Sequence, residues 1–415
     1  MVSKYKIALT SLMGNMIEYF GFAIFAIFAT EIGRSFFPKL DSSTQTMFVL
    51  LIFGVGFLSR PLGALFFGHF GDRIGRKKSL SYTILGMSCV TFLIAILPDY
   101  QSWGIASTFV LIALRLLQGF FVGGEGPGAA LYMLEHSKKE NMGLVGGVII
   151  SSIVLGSFLA TLIGIVINFC GITNSFSWRI PFFIASFAGL IGLYLRFSLP
   201  ETEAFLNVKK EKKILKIPII TVFKDFWKET ILIAFLGGIT TSISYVIMAY
   251  LRQYFENHLG MDHITSMQYS SYGIFAFIVF LIILGKVSDS FQPRMFIITF
   301  SYILIFTIIP AFLLLNYGND FYLFLGSTLI SFMGAGLCAP AYPYALKKFS
   351  AEVRYSGIGI SYTLGIAIFG GFSPVISAYS MKLLKLSYSP AFYLIALAII
   401  YLIFEQFLYK KPTND

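Results

Sequence analysis

Few ionisable side chains interrupt the long apolar runs of this 415-residue chain, and those few are its candidates for chemistry. Glu18 lies near the middle of the first run, with Asn15 about one helical turn earlier on the same face. Arg115 lies near the middle of the fourth run, so Glu18 and Arg115 can meet at a similar depth. A charge inside a bilayer costs at least about 2.5 to 3.5 kcal/mol. We therefore expect each to have a function, the alternative being a static ion pair between helices one and four.

Gln118 and Glu125 follow Arg115 on the same predicted helix. At 3.6 residues per turn they lie on nearly the same face, about 10 Å apart along the axis, and would line one path. A buried carboxyl group tends to keep its proton, whereas a nearby arginine favours the ionised form. Movement of Arg115 between Glu18, a solute carboxylate and Glu125 would therefore couple solute binding to protonation. A structural ion pair is again the alternative.

Polar side chains in the second half of the chain form another candidate set. Thr241 and Tyr245 recur at helical spacing within an apolar run, which predicts a stripe that faces water or a ligand. Tyr342 and Tyr362 add rings with hydroxyl groups, suited to a small solute or a cationic headgroup. Because 17% of the residues are aromatic, packing is the alternative for each tyrosine.

No pattern predicts a metal, a cofactor or a nucleotide. The glycine-rich run 123–128 lacks both the Gly-Lys-Ser/Thr and the preceding strand of a phosphate-binding loop. His258 and His263 have no further ligands nearby in sequence, and the three cysteines show no metal spacing. An intramembrane enzyme or a receptor would need a catalytic motif or a sizeable soluble domain, and neither is found. We expect neither an enzyme nor a cofactor.

The composition requires lipid as the main solvent. The chain is 57% hydrophobic and 12% charged, which leaves too little polar surface for a soluble globule. Roughly twelve apolar runs reach the length that crosses a bilayer, and they are continuous rather than alternating as in a barrel. The predicted helices cover approximately 7–30, 47–70, 79–98, 105–132, 142–170, 178–199, 229–255, 265–285, 295–316, 320–346, 352–380 and 388–409.

The distribution of Lys and Arg predicts the orientation. With both termini cytoplasmic, about 23 of these cations fall in cytoplasmic segments and about 6 outside, whereas the opposite topology fails. The net charge of +11 then reflects topology and attraction to anionic membrane lipid, so no nucleic-acid partner is expected.

A long lysine-rich break divides the chain into two halves. We predict an N-terminal six-helix bundle at 1–200, a basic cytoplasmic linker at 201–228 and a C-terminal six-helix bundle at 229–415. An internal echo supports two pseudo-symmetric bundles around a central cavity. The repeated positions are Gly68, Asp72 and Arg76 after the second helix and Gly285, Asp289 and Arg294 after the eighth, with loops 137–143 and 351–357 also matching.

Several short blocks resemble the major facilitator superfamily and, within it, the metabolite:proton symporters. They are Gly14-Asn15 with Glu18, 60–63 leading into 71–77, Arg115 with 118–119 and 123–125, 178–183, and 354–357. The resemblance implies an all-α fold of twelve transmembrane helices and secondary transport of a small-molecule substrate by alternating access, coupled to protons. It also implies a multi-pass protein of the bacterial inner (plasma) membrane, and we expect a monomer.

The resemblance further implies a cytoplasmic gate of charges that pair across the two bundles. Asp72 would face the positive N-terminal end of a helix in the other half, predicted to be helix eleven. Loop salt bridges of little energetic weight are the alternative. The predicted gate residues are Asp72, Arg73, Arg76, Lys77, Asp289 and Arg354.

One position departs from the family pattern. An acidic residue usually follows the first-helix glutamate by three positions, and this chain has Gly21 there. A candidate proton or cation site is therefore missing. The expected cargo is a proline- or betaine-like zwitterion, or a small organic acid, taken up with protons. The alternative is an exporter or exchanger of a larger amphiphile.

Overall fold

The computed structural model describes residues 4–170 and 176–408. All regular structure in these two ranges is helical, including a short 3-10 helix at Lys139–Asn141 and π-helical turns at Val246–Tyr250 and Ile366–Gly370. The α-helices are α1 (Lys4–Ile27), α2 (Ala29–Phe36), α3 (Ser42–Leu58), α4 (Arg60–Ile74), α5 (Arg76–Ile96), α6 (Tyr100–Trp103), α7 (Ile105–Glu135), α8 (Met142–Phe169), α9 (Arg179–Phe197), α10 (Glu203–Lys210), α11 (Pro218–Asp225), α12 (Trp227–Tyr245), α13 (Leu251–Asn257), α14 (His263–Ser288), α15 (Pro293–Asn316), α16 (Asp320–Cys338), α17 (Ala341–Leu346), α18 (Arg354–Gly365), α19 (Ser373–Leu384) and α20 (Pro390–Leu408).

Twelve helical segments of the described chain are long and apolar enough to cross a membrane. Some combine two consecutive helices, as α3 with α4 and α18 with α19 do. The tenth segment, Asp320–Leu346, has the bounds that the sequence predicts. The prediction of twelve transmembrane helices is confirmed.

Contacts divide the chain into two compact units, each containing a segment from the other half of the sequence. Unit 1 comprises Met1–His136, Ser152–Ile219 and Ala351–Ile360. Unit 2 comprises Ser137–Ser151, Ile220–Ser350 and Ser361–Asp415. The start of α18 therefore belongs to unit 1 and the start of α8 to unit 2. The predicted domains, 1–200 and 229–415 with a linker at 201–228, stay a prediction.

Glycines let α4 and α7 of unit 1 cross with their backbones in contact. A Cβ atom added to Gly63 would lie 1.7 Å from the carbonyl oxygen of Phe120. One added to Gly123 would lie 2.0 Å from the carbonyl oxygen of Arg60. Only hydrogen fits at both positions, as in other tightly packed membrane helices. This crossing fixes Arg60 against α7.

An apolar core within unit 1 includes Trp178 and the residues that pack around it. The indole of Trp178 is fully buried and meets Phe36 and Phe182 edge-on, each at 5.8 Å between ring centroids. Its Nε1 donates to Ser35 Oγ at 3.1 Å, which satisfies the one polar atom of the ring. The contacts join α2 to the start of α9.

Candidate functional site

The predicted polar residues of the first half are buried together inside unit 1. At most 3% of any of these side chains is exposed, and they project from α1 and α7. The set consists of Asn15, Glu18, Arg115, Gln118 and Glu125.

Glu125 pairs with Arg196 of α9, a residue that the sequence analysis did not select. The guanidinium meets both carboxylate oxygens, with Nη1 donating to Oε2 at 2.8 Å and Nη2 making a closer contact with Oε1. Thr83 of α5 donates to the same carboxylate, and Arg196 Nη1 also donates to the carbonyl of Leu80 at 2.8 Å. Such two-point, charge-assisted contacts are strong and directional. They join α5, α7 and α9 around one buried ion pair.

The position of Arg196 in the sequence has a simpler explanation. An arginine near the end of an apolar run is what the orientation rule predicts for a cytoplasmic helix end. Its inward direction depends on Gly14 of α1, where an added Cβ atom would lie 2.3 Å from Arg196 Nη2. Gly14 therefore leaves room for the guanidinium one turn before Glu18.

Glu18 lies next to this ion pair without a hydrogen-bond partner. Both of its carboxylate oxygens are buried and unpaired among the described residues, as are both polar atoms of the Asn15 side chain. Glu125, Arg60 and Arg196 are close enough to interact with it electrostatically. A small pocket lined by Glu18, Glu125, the hydroxyl-bearing Ser88 and Thr91, and apolar residues has room for about one water molecule.

Glu18 and Arg115 do not form the ion pair that the sequence allowed. Arg115 Nη1 donates instead to Gln118 Oε1 on its own helix, and Gln118 Nε2 donates to Thr91 Oγ1 at 3.0 Å. The guanidinium carbon of Arg115 lies 4.5 Å from the ring centroid of Phe22. A helix-internal hydrogen bond and ring contacts therefore replace the predicted partner.

In unit 2, two of the three predicted tyrosines lie together. The rings of Tyr342 and Tyr362 stack with centroids 4.5 Å apart and planes inclined by 21°. The Tyr362 hydroxyl shares a 2.8 Å hydrogen bond with Thr240 Oγ1. Thr241 instead packs against Gly370, where its Cγ2 would lie 2.6 Å from an added Cβ atom. The threonine that contacts the stacked tyrosines is therefore one residue earlier than the predicted one. Tyr245, also predicted, is partly exposed.

Asp72 accepts hydrogen bonds at the beginning of α18, within unit 1. Tyr355 N donates to its Oδ1 at 3.1 Å and Ser356 N donates to its Oδ2 at 2.8 Å. Its carboxylate also lies 3.3 Å from Arg76 Nη2. An acid at a helix N-terminus meets free N–H groups and the positive end of the dipole. This is the helix at which the resemblance placed Asp72.

Glu135, which was not predicted itself, links two predicted gate residues of unit 1, Arg76 and Arg354. Its carboxylate accepts a hydrogen bond from Arg354 Nη1 at 3.0 Å and lies 3.6 Å from Arg76 Nε. Arg73 and Lys77 are outside this cluster. Arg73 Nη1 donates to His69 Nε2 at 3.3 Å, and Lys77 Nζ donates to the carbonyl of Phe197 at 2.9 Å.

Asp289 repeats the role of Asp72 within unit 2. Gly143 N donates to its Oδ1 at 2.6 Å, and Leu144 N donates to its Oδ2 at 3.3 Å. Both donors lie at the beginning of α8. The echo between the two halves of the sequence therefore corresponds to two carboxylates that each cap a helix.

Comparisons with known proteins identify the family and the fold. A family model described as Major Facilitator Superfamily matches residues 11–374. The chain is 32% identical over 426 residues to the glycine betaine/proline/ectoine/pipecolic acid transporter OusA of Dickeya dadantii, covering 97% of this chain and 82% of that protein. It is 33% identical over 419 residues to the proline/betaine transporter of Salmonella typhimurium, covering 94% of this chain and 80% of that protein.

Solved structures share the fold at low sequence identity. The proton:xylose symporter XylE, bound to 6-bromo-6-deoxy-D-glucose, aligns with a TM-score of 0.74 and 14% identity over 97% of this chain and 95% of that one. The human organic anion transporter MFSD10 aligns with a TM-score of 0.71 and 14% identity over 98% of this chain and 100% of that one. The chain therefore belongs to the Major Facilitator Superfamily and is a multi-pass membrane transporter, not an enzyme.

Proposed function

We propose that the protein takes up a small zwitterion of the proline or betaine type across the bacterial inner membrane, coupled to protons, by alternating access. The names of the curated relatives support this substrate class. A small organic acid is the second class compatible with the buried arginines. The observation that carries the proposal is the carboxyl group of Glu18, which has no hydrogen-bond partner within residues 4–170 and 176–408 and lies beside the ion pair of Glu125 and Arg196.

Glu18 is proposed as the group that binds and releases the coupling proton. A buried carboxylate without a hydrogen-bond partner is costly unless it is neutralised by a proton or by a cation beside it. Glu125 already has a cation, because Arg196 meets both of its oxygens. Either a proton or the cationic group of a solute can therefore neutralise the Glu18 carboxylate.

Release of two helix ends is proposed to open the cytoplasmic side. Asp72 and Asp289 each hold the start of a helix through two backbone N–H groups. These contacts form when the solute site is open to the outside and break when it opens inward. We also propose that the protein is a monomer and that both of its termini lie in the cytoplasm.

Proteoliposomes test the proposal. We expect purified protein to accumulate radiolabelled proline or glycine betaine when the lumen is made alkaline relative to the outside. Glu18→Gln should abolish this concentrative uptake but retain part of the exchange of internal for external solute, because the amide cannot carry a proton. Thr161→Val, a change on α8 where the hydroxyl bonds only a backbone carbonyl within its own helix, serves as the control.

Three results would reject the proposal. Concentrative uptake by Glu18→Gln at the wild-type level would remove the proton role. Absence of proline and betaine uptake by the wild type would remove the substrate class. Accumulation only in vesicles of inverted orientation would favour the exporter or exchanger.

A further inference from the structure

Two arginines lie buried in unit 1 without a carboxylate paired to either of them among the described residues. Arg60 of α4 is 1% exposed and Arg115 of α7 is fully buried. In each guanidinium, Nε and Nη2 are buried and have no hydrogen-bond partner within the described chain. Buried cations of this kind are normally paired, because an isolated charge in an apolar medium is unstable.

One aromatic ring contacts both guanidinium groups. The Cζ atoms of Arg60 and Arg115 each lie 4.5 Å from the ring centroid of Phe22 on α1. Phe57 lies 4.3 Å from Arg60 and Phe25 lies 4.2 Å from Arg115, measured in the same way. Ring faces stabilise a guanidinium electrostatically, but they accept none of the in-plane N–H groups. The free N–H groups therefore still need an acceptor.

An anion with planar oxygens fits this requirement. Two positive charges held near one ring repel each other, and a shared anion would relieve the repulsion. Carboxylates match the fork of the guanidinium through paired N–H···O contacts. The close crossing of α4 and α7 at Gly63 and Gly123 keeps the backbones that carry the two arginines together.

Glu18 lies on the same face of α1 as Phe22, four residues earlier. Four residues correspond to about 6 Å along a helix, so the Glu18 carboxyl group lies about one turn from the ring that both arginines contact. Glu18 is electrostatically close to Arg60 but forms no direct bond with it. A small zwitterion could contact Glu18 with its positive group and the arginines with its negative group.

We propose that Arg60 and Arg115 bind the carboxylate group of the transported solute against the ring of Phe22, with Glu18 facing its cationic group. This rests on the proposed transport function and adds a chemical requirement, namely that the solute carries a carboxylate. It also makes Arg60 a specificity residue. A solute that lacks the carboxylate leaves both guanidiniums unpaired and should bind weakly.

Matched ligand pairs test the carboxylate requirement. Thermal unfolding of the purified full-length protein is followed with proline against prolinamide, and with glycine betaine against choline. We expect only the carboxylate member of each pair to raise the melting temperature, because ligands that bind the native state stabilise it. Arg60→Gln should weaken binding of the stabilising ligand at least about tenfold, whereas Arg60→Lys should retain part of it. Arg179→Gln is the matched control, since Arg179 also lies over an aromatic ring in unit 1, 4.2 Å from that of Trp178.

The outcomes separate this inference from the proposed transport. Equal stabilisation by acid and amide, full ligand affinity in folded Arg60→Gln and Arg60→Lys, or no stabilisation of the wild type by proline or betaine would each overturn the carboxylate site. Stabilisation by proline without accumulation in proteoliposomes would leave the site intact and reject the transport proposal. Uptake of choline as fast as betaine would reject the carboxylate site and leave the transport proposal intact.

Discussion

Arg196 and Glu125 form a two-point ion pair that joins α9 to α7 inside unit 1. Arg196 provides the cation for the buried Glu125 carboxylate, and Thr83 donates a hydrogen bond to the same carboxylate. Glu18, nearby, has no such partner among the described residues. The two acids of this cluster therefore have different environments, one paired and one free.

Removal of only one member of this ion pair should be strongly destabilising. Arg196→Gln leaves the buried carboxyl group of Glu125 without its cation, and removal of one partner of a buried ion pair typically costs about 3 to 5 kcal/mol in unfolding free energy. The double variant Arg196→Gln with Glu125→Gln should recover a large part of that loss, because no charge remains. Thermal unfolding of the four proteins of this cycle measures both effects. Equal losses in the single and double variants would show that the ion pair itself is not responsible.

The carboxylate of Asp72 should control access to the start of α18. Asp72→Asn removes the charge that favours the helix N-terminus, an effect of up to about 2 kcal/mol in a buried setting. We expect a cysteine at the buried position Ser356 to react faster with an impermeant maleimide in the Asp72→Asn background, after the native cysteines are replaced by serine. Asp262→Asn, which affects the exposed cap of α14, is the control. Equal labelling rates with and without Asp72 would contradict a gate at this helix.

Thr240 and Thr241 should differ although they are neighbours. Thr240→Val removes the hydrogen bond to the Tyr362 hydroxyl and should cost about 1 kcal/mol in unfolding free energy. Thr241→Val should cost less, since its methyl group is the part that packs on Gly370. Thermal unfolding and solute affinity of both variants provide the comparison. A larger loss of stability or affinity in Thr241→Val than in Thr240→Val would show that the stacked tyrosines do not depend on the Thr240 hydroxyl.

Close helix crossing should make Gly123 intolerant of any side chain. Gly123→Ala would place a methyl group 2.0 Å from the carbonyl oxygen of Arg60, so α4 and α7 would have to separate. We expect a severe loss of monodisperse protein after solubilisation. Gly54→Ala is the matched control, because nothing lies within 4 Å of an added Cβ atom there. Similar yields of the two variants would exclude close packing as the constraint at Gly123.

The sequence was most informative about elements and least informative about partners. Apolar runs predicted the twelve spans because the bilayer thickness sets their length. The resemblance placed Asp72 at the helix whose Tyr355 N and Ser356 N donate to it, whereas Glu18 and Arg115 do not form the ion pair that the sequence allowed. Side-chain partners depend on how each helix is rotated and how closely it packs. Gly14 and Gly63 influence both through contacts with residues distant in sequence, which the spacing of residues along the chain does not reveal. A rotation of about 100° per residue also separates Thr240 from Thr241.

The π-helical turns of unit 2 have a mechanical consequence. One, Val246–Tyr250, directly follows the helix that ends at Tyr245, and the other, Ile366–Gly370, begins one turn after Tyr362. A π turn contains one residue more than an α turn. Conversion of the π turn to an α turn would therefore rotate the rest of the helix by about 100° about its axis with little change in length. If the two turns, each beside a candidate ligand-facing tyrosine, converted to α-helix, the far ends of these helices would rotate relative to the segments that carry the tyrosines.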